Sequence, residues 1–136
     1  MKTNGPTGTM TPRRVLVVED DKFLRRAVEI RLKRAGYTVA TACDGEEALA
    51  MVGPVAPDVV LLDLIMPRMQ GFAVLDALKA SPATANVPVI IMSNRGQDND
   101  RCRAIEAGAV KYLIKAEISL DALTHEVDDT LTRVGP

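Results

Sequence analysis

VVLLD (59–63) places four aliphatic residues in a row and ends them with a single carboxylate. A short apolar run of this kind is typical of a strand that is buried on both faces of a parallel sheet. Three other runs have the same form, an apolar stretch followed by polar side chains: VLVV (15–18) before Glu19, Asp20 and Asp21, VIIM (89–92) before Ser93, and 110–114 before Lys115. If all four runs are parallel strands, their polar ends lie along one edge of the sheet, where open α/β sheets bind ligands.

Most of the chain alternates between β-branched runs and segments with helical spacing of apolar residues. The predicted strands are 14–18, 38–41, 58–62, 88–92 and 110–114. Strands that alternate with helices predict βαβ units and therefore a parallel sheet. We predict one α/β domain of (βα)5 type from residue 13 to residue 134, with no output domain. Residues 1–12 are expected to be a disordered tail, because they offer little apolar surface to bury.

The limits of the second helix and the anchors of the fourth depend on single residues. Pro54 and Pro57 are expected to end the second helix, since proline lacks the amide hydrogen that a helix interior needs. The fourth helix, at about 97–107, is rich in Asp and Arg, and Cys102 and Ile105 are its best apolar anchors. We therefore expect this helix to be held lightly against the sheet.

Two packing rules restrict the order of the strands. Crossovers between parallel strands are right-handed, and helices must cover both faces of a parallel sheet. The common five-stranded solution is the doubly wound, flavodoxin-like order 2-1-3-4-5. In this order the four strands with polar ends are neighbours, and the strand that ends without a reactive residue lies at the margin. The polar ends are therefore predicted to form one site.

The side chains predicted at that edge of the sheet are suited to phosphoryl transfer. Glu19, Asp20 and Asp63 would bring three carboxylates together, which requires a cation, and Mg²⁺ prefers such oxygen ligands. Asp63 could act as a nucleophile, while Ser93 and Lys115 could contact a phosphoryl group. Taken singly, each residue also has an ordinary explanation, as a helix cap, a turn residue or a solvated strand end. Their joint occurrence on neighbouring strands favours the functional interpretation.

Composition excludes several other classes of protein. The chain has 136 residues and a formal net charge of −1, which gives no support for binding nucleic acid or an anionic membrane surface. No apolar run has the roughly 18 residues of a membrane span, so a cytoplasmic location is expected. The two cysteines are far apart and are expected to be reduced thiols. Neither a G-x-G-x-x-G motif nor a P-loop is present, which disfavours nucleotide binding.

Four segments of the chain resemble a known family. They are VLVVEDD (15–21), VVLLDLIMPRMQGF (59–72), VIIMSN (89–94) and GAVKYLIKA (108–116). Together they resemble the receiver domain of two-component response regulators, in particular the single-domain, chemotaxis-regulator-like members. The resemblance covers residues 13–134, which is nearly everything outside the tail.

The resemblance implies a role for seven positions: Asp63 as phosphoacceptor, Glu19, Asp20, Asp63 and the backbone carbonyl of Ile65 as Mg²⁺ ligands, Ser93 and Lys115 as phosphoryl contacts, and Tyr112 as an aromatic ring that turns inward on activation. One position departs from the family pattern. Ala116 follows the lysine where the family usually has a cis proline. A non-prolyl cis bond costs roughly 3 kcal/mol, so the bond is either trans or strained.

The resemblance implies a stand-alone phosphorylation switch rather than an enzyme, one that assists its own phosphorylation and dephosphorylation. A sensor histidine kinase or a histidine phosphotransferase would supply the phosphoryl group. The face formed by helix 4, strand 5 and helix 5 would then bind a downstream protein, or a second copy of the chain as a homodimer. One alternative is a receiver-like interaction module that is never phosphorylated. Another, an aspartyl-nucleophile phosphohydrolase, is disfavoured because Ile65 stands where such enzymes carry a second Asp.

Overall fold

The computed structural model describes residues 12–65, 71–94 and 98–134. Its five parallel strands are β1 (Arg14–Val18), β2 (Thr38–Ala42), β3 (Val59–Asp63), β4 (Val89–Ser93) and β5 (Lys111–Ile114). They form one sheet in the order β2-β1-β3-β4-β5, which confirms the predicted doubly wound α/β fold. The predicted disordered tail lies outside the described residues, apart from Pro12.

Within the described ranges, five α-helices connect and follow these strands. They are α1 (Lys22–Arg34), α2 (Gly45–Val55), α3 (Gly71–Ala80), α4 (Asp98–Glu106) and α5 (Leu120–Val134). Among the described residues, no helix combines the length and apolar composition needed to cross a bilayer.

The sheet divides the core into two apolar layers. Strand residues alternate between them, so Leu16 and Leu62 face α2, α3 and α4, whereas Val17 and Leu61 face α1 and α5. All residues of β3 and β4 are buried, as expected for central strands with helices on both sides. Because both faces of these strands are buried, their sequences are continuous apolar runs.

Strands β3 and β4 each begin and end one residue later than predicted. Pro88 precedes β4 and has no amide hydrogen to donate, so the ladder begins at Val89. As a result, Asp63 and Ser93 are the last residues of their strands rather than the first residues of the following loops. Asp63 pairs in register with Met92, and Ser93 with Ile114. Both functional candidates are therefore held by the sheet itself.

Two expectations about helices were wrong. Pro54 lies inside the last turn of α2, which ends only at Val55 and is closed by Ala56 in the left-handed conformation. In α4, Cys102 and Ile105 are exposed, and the inward-facing residues are Asp100 and Ala104. Those two residues are four apart and share one side of the helix. The small side chain of Ala104, rather than the larger apolar ones, lets α4 approach the sheet.

The peptide bond between Lys115 and Ala116 is trans, since the described residues contain no cis bond. The chain leaves β5 through a short 3₁₀ turn, Lys115–Glu117, for which no local sequence pattern gave a prediction. Ser119 then caps α5, with its Oγ accepting a hydrogen bond from the Ala122 amide at 3.0 Å. Without the proline, the chain still returns to α5 in a regular turn.

Candidate functional site

A cleft of about 300 Å³ opens at the carboxyl ends of β1, β3, β4 and β5. Its lining residues come from the polar strand ends and the loops that follow them: Glu19, Asp20, Asp21, Asp63, Ile65, Ser93, Asn94 and Lys115. The structure thus brings together six of the seven residues predicted for the site. The seventh, Tyr112, is buried two residues from the end of β5.

Asp63 is positioned by a close backbone contact with the start of α3. The Gly71 amide donates a hydrogen bond to the Leu64 carbonyl at 2.8 Å. A Cβ atom at Gly71 would lie 2.4 Å from the Asp63 carbonyl oxygen and 2.5 Å from the Leu64 Cα. Only glycine permits this approach. This role was not predicted, although a glycine at the first position of the helix that follows β3 is a signal visible in the sequence.

Lys115 lies between two buried carboxylates. Its Nζ is 2.6 Å from Glu19 Oε1 and 3.1 Å from Asp63 Oδ2. The Glu19 side chain is 0% exposed, that of Asp63 is 6% exposed and that of Lys115 is 14% exposed. Such burial makes every charge in the group expensive unless it is paired.

Burial governs the pKa values of these groups. It is the largest influence on Glu19 and Asp63, and it raises the pKa of both carboxyl groups despite the neighbouring ammonium. For Lys115, burial alone would lower the pKa, but the contacts with Glu19 and Asp63 outweigh it and raise the pKa. The Lys115 ammonium therefore remains charged, but it balances the negative charge of Glu19 and Asp63 only in part.

The donor set fits a hard divalent cation. Carboxylate oxygens of Glu19, Asp20 and Asp63 lie within 4.8 Å of one another. Three carboxylates against the one ammonium of Lys115 leave a surplus of two negative charges, which a divalent ion would neutralise. The Ile65 amide donates to Asp63 Oδ1 at 3.2 Å and thereby orients that carboxylate. The predicted part of the Ile65 carbonyl in binding the ion stays a prediction.

Asp21 supports the site through hydrogen bonds of both its side chain and its backbone. Its Oδ1 accepts hydrogen bonds from the amides of Phe23 and Leu24, at 2.9 and 3.1 Å, and so caps α1. Its own amide donates to Glu19 Oε2 at 3.0 Å. The cap therefore fixes both the start of α1 and the orientation of the Glu19 carboxylate.

Ser93 and Tyr112 are both buried. Ser93 is 0% exposed at the end of β4, and Tyr112 is 5% exposed on the neighbouring strand. The Arg101 guanidinium lies over the tyrosine ring, 5.2 Å from its centroid, and donates to the Tyr112 carbonyl at 3.3 Å. The ring is therefore already buried in this structure, and its predicted turn on activation stays a prediction.

Comparison with known proteins gives one consistent result. The sequence pattern of the family described as "response regulator receiver domain" matches residues 15–128. The chain is 41% identical over 129 residues to the transcriptional regulatory protein PrrA of Mycobacterium tuberculosis, covering 95% of this chain and 54% of that protein. It is 38% identical over 115 residues to the gliding motility regulatory protein of Myxococcus xanthus, covering 85% of this chain and 15% of that one. The chain thus spans about half or less of these relatives.

Solved structures show the same similarity in three dimensions. The chemotaxis protein CheY4 of Vibrio cholerae superposes with a TM-score of 0.84 at 29% identity, covering 89% of this chain and 100% of that one. The receiver domain of the Francisella response regulator 1452 superposes with a TM-score of 0.83 at 30% identity, covering 90% of this chain and 98% of that one. Nearly the whole described chain shares the architecture of these proteins.

Proposed function

The chain belongs to the response regulator receiver domain family, and on that premise we propose that it is a Mg²⁺-dependent phosphorylation switch with Asp63 as phosphoacceptor. The observation that supports this most strongly is the placing of Lys115 between Glu19 and Asp63 inside a cleft with surplus negative charge. A purely structural ion pair would gain nothing from extra buried carboxylates. A site that must bind a cation and a phosphoryl group requires them.

The proposed reaction transfers a phosphoryl group from a phosphohistidine. An Asp63 carboxylate oxygen attacks phosphorus, the new O–P bond forms, and the N–P bond to the donor imidazole breaks. The leaving nitrogen takes the electron pair and is protonated from solvent. Bound Mg²⁺, held by Glu19, Asp20 and Asp63, would neutralise the charge of the transferring group. The Ile65 amide, which donates to Asp63 Oδ1, keeps the attacking carboxylate in one orientation.

After transfer, two residues of the cleft would contact the new group. Conversion to an acyl phosphate consumes one Asp63 oxygen and adds negatively charged phosphoryl oxygens beside Lys115. The ammonium, now shared between Glu19 and Asp63, would shift toward those oxygens. The Ser93 hydroxyl, at the end of the adjacent strand, would donate to them as well. Both movements pull on segments that lead to α4 and to β5.

The phosphoryl donor would be a sensor histidine kinase or a histidine phosphotransferase. The output surface would be the face of α4, β5 and α5. Ile105 of α4 and Val110, which directly precedes β5, are each 47% exposed. Exposed apolar residues on a regulated face suit a protein partner, with a second copy of the chain as the alternative occupant. The chain would act as a switch rather than as a turnover enzyme.

The test is labelling of the chain by a small phosphoramidate, whose N–P bond resembles that of phosphohistidine. We expect the wild-type chain to be labelled in the presence of Mg²⁺ and to lose labelling when the ion is chelated. Asp63→Asn should abolish labelling, whereas Asp129→Asn, which changes an equivalent residue outside the cleft, should leave it intact. Undiminished labelling of Asp63→Asn would overturn the assignment. A wild-type chain that takes up no label would support the non-phosphorylated interaction module.

A further inference from the structure

Arg25 of α1 contacts three successive carbonyl groups of the loop that carries the acidic residues. Its Nη1 donates to the Glu19 carbonyl at 2.9 Å and to the Asp20 carbonyl at 3.4 Å. Its backbone amide donates to the Asp21 carbonyl at 2.9 Å. The guanidinium therefore binds the carbonyls of Glu19 and Asp20, whereas the bond to Asp21 is an ordinary backbone hydrogen bond at the start of α1. The side chain is half-buried, unlike that of its exposed neighbour Arg26.

These contacts restrain the peptide planes between β1 and α1. With the carbonyls of Glu19 and Asp20 turned toward the guanidinium, the two residues have little freedom to rotate about the backbone. Their carboxylates, which line the cleft, are like charges next to Asp63 and tend to move apart. Hydrogen bonds to the loop carbonyls oppose that separation, because the carboxylates can leave the cleft only if the peptide planes turn.

We propose that Arg25 is a positioning residue for the cation site, holding Glu19 and Asp20 in the arrangement that binds Mg²⁺. This inference rests on the proposed function, since it concerns the cation that phosphoryl transfer needs. Among the described residues, the Arg25 guanidinium donates to the carbonyls of Glu19 and Asp20 and not to Asp63. It acts through the loop, as groups that orient metal ligands commonly do.

The charge of Arg25 and its hydrogen bonds have opposite effects on cation binding. A guanidinium close to the site repels a divalent cation, so loss of the charge alone would strengthen Mg²⁺ binding. Loss of the hydrogen bonds would release the loop and weaken binding, on the order of tenfold or more for a group that orients ligands. The direction of the change therefore separates a positioning role from an electrostatic one.

The experiment is a Mg²⁺ titration of the full chain, followed by backbone amide chemical shifts in NMR spectra. For Arg25→Ala we expect a dissociation constant about tenfold higher than that of the wild-type chain. Arg26→Ala is the matched control, because it removes the same charge from the next residue, whose guanidinium pairs with Glu29 at 3.6 Å. It should change the constant by less than about twofold. Arg25→Lys, which keeps one donor group and the charge, should recover part of the affinity.

A second readout needs no metal. Hydrogen exchange at the Asp21 amide, which is bonded to Glu19 Oε2, should be several-fold faster in Arg25→Ala than in the wild-type chain, and unchanged in Arg26→Ala. An equal or lower Mg²⁺ dissociation constant for Arg25→Ala would overturn the inference, even if its melting temperature fell. If the wild-type chain binds no Mg²⁺, the proposed function fails, and unchanged exchange in Arg25→Ala would then remove the positioning role as well.

Discussion

Two lysines four residues apart, Lys111 and Lys115, each bind a pair of carboxylates. Lys111 Nζ lies 2.6 Å from Glu126 Oε1 and 2.8 Å from Asp129 Oδ2. Lys115 Nζ lies 2.6 Å from Glu19 and 3.1 Å from Asp63. The lysines are buried to a similar degree, with 19% and 14% of their side chains exposed. Composition and distance therefore do not distinguish the two clusters.

The carboxylates do distinguish them. Those of the Lys111 cluster are 35% and 37% exposed on α5, where water screens them. Those of the Lys115 cluster are almost fully enclosed, and the nearby carboxylate of Asp20 adds further negative charge. The first arrangement fastens α5 to β5 at little cost. The second stores uncompensated charge in a cleft, and that property makes it suitable for binding a cation and a phosphoryl group.

Removal of each lysine should give the largest contrast between the clusters. Lys115→Met leaves two buried carboxylates without their cation, and we expect it to lower the free energy of unfolding by about 3 kcal/mol. Lys111→Met leaves half-exposed carboxylates that water can solvate, and should cost about 1 kcal/mol or less. Urea unfolding at pH 7 without divalent ions measures both. Equal losses would mean that burial does not separate the two clusters.

A substitution at the close backbone contact between Gly71 and Asp63 should give the next largest change in the free energy of unfolding. Gly71→Ala forces a Cβ against the Asp63 and Leu64 backbone, and we expect it to lower the free energy of unfolding by about 2 kcal/mol. The control is Gly53→Ala in α2, where an added Cβ meets nothing within 4 Å. That change should stabilise the chain by about 0.5 kcal/mol, because alanine favours a helix. Thermal unfolding of the two variants checks the difference in sign.

The raised pKa of Asp63 predicts a smaller effect that depends on pH. The pKa of Asp63 in the folded state lies above the ordinary value of 3.8. Asp63 therefore contributes fully to the free energy of unfolding below pH 3.8, and this contribution is lost as the pH rises through the folded-state pKa. Without metal, Asp63→Asn should therefore raise the free energy of unfolding at pH 7, because asparagine brings no charge into the buried site. Lys115 keeps Glu19 as its partner. Urea unfolding at pH 7 and pH 3 should show the gain only at the higher pH; a gain of equal size at both would contradict a raised pKa.

The smallest effect concerns Tyr112, which lies between the two lysines on β5. Arg101→Ala removes the guanidinium over its ring, a contact worth about 0.5–1 kcal/mol. We expect the ring to become more accessible, as measured by acrylamide quenching of tyrosine fluorescence in a Tyr37→Phe background that leaves one tyrosine and no tryptophan. Arg103→Ala is the control, because Arg103 lies over Phe72 instead, 3.8 Å from its centroid. Equal quenching in all three chains would show that Arg101 does not hold the ring.

Much of the fold follows from local patterns in the sequence. Buried parallel strands are continuous apolar runs, and the polar residue that ends each run marks the same edge of the sheet. The anchors of α4 could not be predicted in this way. Cys102 and Ile105 are its most apolar large residues, yet Asp100 and Ala104 are the buried ones, since a helix with few apolar residues is oriented by its surroundings.

The site was predictable as a set of residues but not as a set of contacts. Asp63, Ser93 and Lys115 follow from their positions at strand ends. The pairing of Lys115 with Glu19 depends on the path of the turn after β5, which no local pattern determines. The close approach of Gly71 and the two carbonyl contacts of the Arg25 guanidinium depend on how a helix meets a loop, and a sequence shows only the residue types that permit them.

The most direct test of the account is the position of the phosphoryl group, found by peptide mapping and mass spectrometry of the wild-type chain after reaction with a phosphoramidate and Mg²⁺. We predict a single phosphoryl group, on Asp63, that is absent when Mg²⁺ is chelated. A phosphoryl group on Asp129 or on another exposed carboxylate, or one on Asp63 that forms equally well without Mg²⁺, would contradict the claim that the buried cluster is the phosphoacceptor site.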